Sequence, residues 1–196
     1  MKKTLLVILS LLLAAALFAA ELKQYKIDKN HSNIGFSVPI MNGLSEVHGK
    51  FTDVEVELLN DEGDVTRSKV KAAIKAASID TGIDARDTHL RTADFFDAER
   101  YPEIVFESKN IEKKGKGFIA TGNLTMRGVT KEIALPFEIT GIEKDEKERT
   151  MTVGYAAKMR LNRQDFGINW KHNSVPNFVG DDITIEIHLI TRSIKY

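Results

Sequence analysis

Apolar and polar residues alternate with a period of two along most of the chain. Ile34, Phe36 and Val38 share one parity, and Val47, Gly49 and Phe51 share the next. The parity then shifts, and Val54, Val56 and Leu58 continue with Glu55 and Glu57 between them, which predicts a bulge near Thr52–Asp53. Val70, Ala72, Ile74 and Ala76 alternate with lysines, and Ile104 and Phe106 follow. Further sets run through Phe118, Ala120, Gly122, Leu124 and Met126, and through Ile133, Leu135, Phe137 and Ile139. The last two are Met151 to Met159 and Ile183 to Leu189. This pattern predicts about eight half-buried strands, each with one apolar face.

Turn chemistry separates the strands: "NDEGD" at 60–64, "KKGKG" at 113–117, "MRGVT" at 126–130 and "EKDEKER" at 143–149. Short connections make sequential strands antiparallel neighbours. Strands with a single apolar face close most simply into an up-and-down barrel, with a sandwich as the alternative. One segment breaks the alternation. "DARDTHLRTADFFDAERYP", from Asp84 to Pro102, reads as a helical crossover across one barrel end, with Asp84 capping a first turn, Thr92 a second and Pro102 stopping it.

Charge is dense in that segment and in "NRQDFGINW", Asn162 to Trp170. Asp87 and His89 are two apart, as are Arg163 and Asp165, a spacing that does not bring side chains together on a helix. A capping or salt-bridge network competes with catalysis as the reading of the Arg86, Asp87 and His89 cluster. The histidines at 31, 48, 89, 172 and 188 share no ligand spacing, which argues against a metal. "GKGFIATGN" lies in a hairpin rather than at a strand-to-helix turn, so it is no phosphate loop.

Composition adds an address. "MKKTLLVILSLLLAAALFAAE" has two lysines, a short apolar run and small residues, the design of a secretory leader cleaved after Ala19 or Ala20. The folded domain then covers 20–196, with 26 basic against 28 acidic residues. That balance gives no footprint for nucleic acid. The chain has no cysteine, which excludes disulfides, a lipoprotein anchor and thiolate metal sites. In a diderm bacterium the destination is the periplasm.

The inward parity mixes phenylalanines with Gly49, Ala72, Ala76, Ala120, Gly122 and Ala157. An eight-stranded barrel is either filled by side chains or holds one slender ligand, and periodicity leaves both open. A cavity lined this way takes a lipid, at roughly 0.8 kcal/mol per buried methylene. A small outer-membrane barrel is a third reading, suggested by the alternating aromatic-ended "DITIEIHLITRSIKY", but it needs the apolar face outside and aromatic girdles.

"DKNHSNIGFSV" (28–38), "ASIDTGIDARDTHLRTADFFDAERYPEIVFES" (77–108), "GNLTMRGVTKEIALPFEITG" (122–141) and "NRQDFGI" (162–168) resemble the YceI-like family of exported polyisoprenoid-binding proteins. The resemblance implies a lipocalin-like, extended eight-stranded antiparallel barrel. It implies an apolar tunnel for a quinone, polyprenyl or similar amphipathic lipid, a transport or storage role rather than an enzyme's, no other cofactor, and in some members a homodimer. Inward parity gives a tunnel lining of Phe36, Val38, Phe51, Ile74, Phe106, Phe118, Leu124, Leu135 and Phe137; the resemblance adds Phe95, Phe96 and Phe166, and Trp170, outside the motif, shapes one mouth. The resemblance implies a rim of Arg86, Asp87, His89, Arg163 and Asp165, either meeting a head group or pinning the crossover, and this chain's own Asn42 and Asn169 join that expected rim. "FSVPIMNGLSEV" departs from the family pattern, with Pro39 and Ile40 where members carry a basic residue and a histidine. "KHNSVPNFVG" has no counterpart in the motif.

Overall fold

The computed structural model describes residues 22–194, so the predicted leader and both cleavage positions lie outside the described residues. Eleven strands form one antiparallel sheet: β1 Lys23–Ile27, β2 Asn33–Ile40, β3 Ser45–Phe51, β4 Val54–Asn60, β5 Lys69–Lys75, β6 Ile79–Asp80, β7 Glu103–Lys114, β8 Gly117–Met126, β9 Val129–Asp145, β10 Thr150–Asn162 and β11 Asp182–Ser193. Eight of them, β1-β4-β5-β7-β8-β9-β10-β11, close into a ring through β1–β11 pairing. The remaining three, β2, β3 and β6, carry the sheet on from β11 past the ends of β1, β4 and β5. The lipocalin-like barrel is therefore present, with long walls that bend.

The bends account for eleven strands where the alternation predicts eight. Asp28 turns the chain between β1 and β2, its carboxylate accepting from Asn30 N at 3.1 Å. Between β3 and β4 the parity shift marks a full two-residue break rather than a bulge within one ladder. There Thr52 N donates to Ser78 O and Lys75 N to Asp53 O. A 3-10 turn, Ala76–Ser78, separates β5 from β6 beside that break. Bulges do occur elsewhere, at Ser108–Asn110 in β7 and at Thr140 in β9, opposite Gly154–Tyr155.

Beyond β6 the crossover fills the space before β7. Helix α1 covers Asp84–Arg91 and is shorter than the charged segment that predicts it. Asp84 is its first residue and not its cap: Ile83 holds that position and offers no side-chain bond. Thr92 closes the helix, its hydroxyl donating to His89 O at 2.8 Å. Residues 93–101 then run as turns, with Asp97 in the left-handed region at φ 49°. Arg91 fastens the segment to the sheet by donating to Ala77 O (2.7 Å) and Ile79 O (3.0 Å).

Two apolar clusters brace the ends of the barrel. One gathers Ala76, Ala98, Ile104, Leu124 and Phe166 under the crossover. The other gathers Tyr25, Leu58 and Val153 at the opposite end. The outward parity of the strands carries Glu55, Glu57, Lys71, Glu132 and Lys158 into solvent. This is the reverse of a membrane barrel's pattern.

Candidate functional site

Between the two clusters the inward parity encloses a cavity of about 270 Å³ that runs along the barrel. Its wall takes Phe36 and Val38 from β2, Phe51 from β3, Ile74 from β5, Phe106 from β7, Leu124 from β8, and Leu135 and Phe137 from β9. Phe95 and Phe96 reach it from the crossover. Period two explains the assembly: in each strand one parity lines the cavity and the other meets water. Phe96 lies edge-on to Phe51, ring centroids 5.8 Å apart, and Phe36 lies 5.9 Å from Phe51.

Only some of the small inward residues leave room. Ala72, Ala120 and Ala157 line the cavity. A Cβ on Gly49 would overlap the Phe36 ring, and one on Gly122 would overlap the β7 carbonyl of Glu107. Those two glycines admit a neighbour rather than a ligand. Ala76 is buried in the apolar cluster beneath the crossover.

Three residues expected in the lining lie elsewhere. Phe166 is 1% exposed and packs under the crossover, because the 3-10 turn Arg163–Phe166 swings it between β8, β9 and β10. Phe118 lies at the start of β8, stacked on Phe137 at 5.4 Å. Trp170 lies on the outer side of the crossover, 5.3 Å from Phe95 and 5.5 Å from His89. The cavity also takes Leu90, Ile111, Ile168 and Val179, which the strand pattern does not single out. Leu90 and Ile168 are marked in sequence only as isolated apolar residues among charges.

The expected rim divides into separate groups. Asp87 is buried, and its carboxylate accepts from Thr81 N at 3.0 Å and from the Thr81 hydroxyl. Arg86 donates to the same hydroxyl (2.7 Å) and to Thr81 O (2.9 Å). His89 pairs instead with Asp94 at 2.8 Å. Asp165 is bound to Lys131 at 3.1 Å, and Asn169 is exposed. Asn42 is exposed on the β2–β3 turn in the left-handed region, φ 59°. The structure thus ties Arg86 and Asp87 to one threonine and His89 to a different carboxylate.

Among the rim residues, Arg163 alone touches the cavity. It is 5% exposed, and its guanidinium donates to Gly180 O (3.0 Å), Ile168 O (2.6 Å), Val179 O (3.3 Å) and Asp181 (2.9 Å). Burial holds its pKa below the usual arginine value, and Asp181 opposes that shift. With its donors committed to the loop, Arg163 shows the cavity its carbon stem.

The opposite end carries buried polar groups, most of which satisfy one another. Tyr25 is 1% exposed and donates to Glu62 at 3.0 Å. Burial pushes its phenol up to about 12, and burial likewise raises Tyr155. Ser68 donates to Asn60 at 2.9 Å, and Thr191 to Val153 O at 3.2 Å. Almost no polar atom is left facing the cavity. Among the described residues no cluster of three or more His, Cys, Asp or Glu is arranged to hold a metal, and no helix is long and apolar enough to cross a membrane.

Comparison with known proteins matches residues 25–191 to the family model of the YceI-like domain. A UPF0312 protein of Photorhabdus laumondii is 36% identical over 189 residues, 95% of this chain and 96% of its own. The crystal structure of the Campylobacter jejuni YCEI protein superposes with a TM-score of 0.70 at 32% identity, covering 78% of this chain and 88% of that one. A polyisoprenoid binding domain from Saccharophagus degradans, implicated in plant cell wall breakdown, shares the fold at a TM-score of 0.64 and 12% identity. That match covers 88% of this chain and 99% of the other.

Proposed function

For a chain that belongs to the YceI-like family and closes a barrel around an apolar cavity, we propose a carrier that sequesters the tail of a long-chain isoprenoid or similar amphipathic lipid. The carrying observation is the lining: aliphatic and aromatic side chains over the length of the barrel, with its few polar residues, Asn60, Ser68 and Arg163 among them, bonded to other groups. Such a wall gains free energy from each methylene it covers and offers nothing to a buried head group. The head therefore stays at the surface. Branched isoprenoid methyls suit a wall built from phenylalanine, isoleucine and leucine, and the polyisoprenoid binding domain of Saccharophagus degradans supports that ligand class. The leader predicted from the sequence supports a periplasmic address for this carrier, and we read its role there as transport or storage rather than catalysis.

Native mass spectrometry and solvent extraction of the protein purified from its own cells test the proposal. A co-purifying long-chain amphiphile is expected. Its absence, together with failure of the purified protein to take up cis-parinaric acid or a polyprenol, would end the reading. Ala120→Phe supplies the matching variant, since Ala120 lines the cavity and is 2% exposed. It should keep the fold, at a cost of about 1–3 kcal/mol, and lower lipid occupancy at least tenfold.

A further inference from the structure

Barrel strands are bound along both edges when the wall is continuous, and β9 is not. Its second half pairs with β10, from Asp145↔Thr150 as far as Phe137↔Ala157, where the pairing stops. From Pro136 back to Val129 it pairs with β8 alone, while β10 continues to Asn162 paired with β11 alone. The β8–β9 and β10–β11 hairpins thus diverge and leave a seam in the wall beside the cavity. Pro136 sits at the first unpaired position and has no N–H to offer across it.

A second feature meets the seam from outside. A surface hollow lined by Pro136, Phe137, Glu138, Ala156, Ala157 and Lys158 shares Phe137 and Ala157 with the inner cavity. Phe137 and Ala157 form the last β9–β10 pair, so the hollow lies on the outer face of the wall at the apex where pairing ends. The crossover and Arg163 lie over one end of the barrel, and Tyr25, Asn60 and Ser68 lie at the other.

We propose that the seam between β9 and β10 is the lateral port through which the lipid tail slides in and out, with the head group left in the outer hollow. This rests on the lipid-carrier reading above. Phe166 wedges the wider part of the seam, in contact with the cluster that includes Val129, Ile133 and Leu161. Outside it, Lys131 of β9 reaches Asp165 in the turn after β10, an exposed ion pair at 3.1 Å. Arg127, at the β8–β9 turn, donates to Gly167 O and, at 2.8 Å, to Ala93 O. The Lys131–Asp165 pair is exposed and such pairs are weak, so this contact can open without unfolding the barrel.

The chain has no cysteine, so introduced pairs are the only thiols. Ala134→Cys with Arg160→Cys places one thiol on each side of the seam, and a short bis-maleimide staples them. Glu143→Cys with Thr152→Cys staples the same strands where they already pair. Uptake and release of cis-parinaric acid are followed by stopped-flow fluorescence. The seam staple should slow both at least tenfold, the control staple should leave both unchanged, and Lys131→Met should speed both severalfold with little change in Kd. Unaltered rates in the stapled seam, with binding intact, would overturn the lateral port and leave the carrier standing. Absence of binding in the unmodified protein would overturn both.

Discussion

Arg163 shows how one side chain can hold an irregular loop. It bonds three carbonyls and a carboxylate drawn from residues 168–181, an irregular stretch whose own backbone pairs with β2 and the turn after it only around Asn177–Gly180. Lysine keeps the charge but not the planar fork, and methionine leaves those acceptors unpaired. Arg163→Met should cost about 3 kcal/mol in urea unfolding, and Arg163→Lys most of that. The sequence shows an arginine in a charged motif and suits a head-group donor equally well, because its partners lie in a loop that no periodicity foretells. Tyr25 makes a different prediction. Its phenol is raised to about 12 against about 10 in the unfolded chain, so the folded state keeps a proton that the unfolded state loses. Stability is then full below pH 10 and falls by about 2–3 kcal/mol on the way to pH 12, and the raised Tyr155 adds in the same direction. Tyr25→Phe should remove the Tyr25 part of that alkaline slope, at about 1 kcal/mol lost near neutrality with the Glu62 bond.

At the scale of elements, alternation carries most of the barrel. Each inward run in the sequence becomes wall, since a strand with one apolar face has a single way to bury it. β1 escapes that reading because only Tyr25 of its five residues is fully buried. The bent strands escape too, since their breaks are made by hydrogen bonds between distant segments such as Thr52 to Ser78. The crossover is legible as an interruption but not in its extent. Its charges pin a two-turn helix to Thr81, and the rest follows as turns that aim Phe95 and Phe96 at the cavity. Asp87→Asn should weaken the pin by about 1–3 kcal/mol while the barrel strands stay folded. Hydrogen exchange would show it as faster amide turnover across 84–98 and unchanged protection in β8 and β11.

For the whole molecule, the divergence of β9 and β10 has a cost apart from any ligand. It leaves a stretch of β9 with unpaired backbone groups, the kind of strand edge on which a second chain can add a strand. The residues along that edge discourage it. Pro136 gives a neighbour no N–H, and Lys131 and Glu132 place charges along the edge. Pro136→Val should weaken that protection and yield concentration-dependent dimers by size-exclusion chromatography with light scattering, where the parent chain gives fewer. An opening in a barrel wall has to be guarded against the protein's own copies, and here one proline and two charges hold a sticky edge in check.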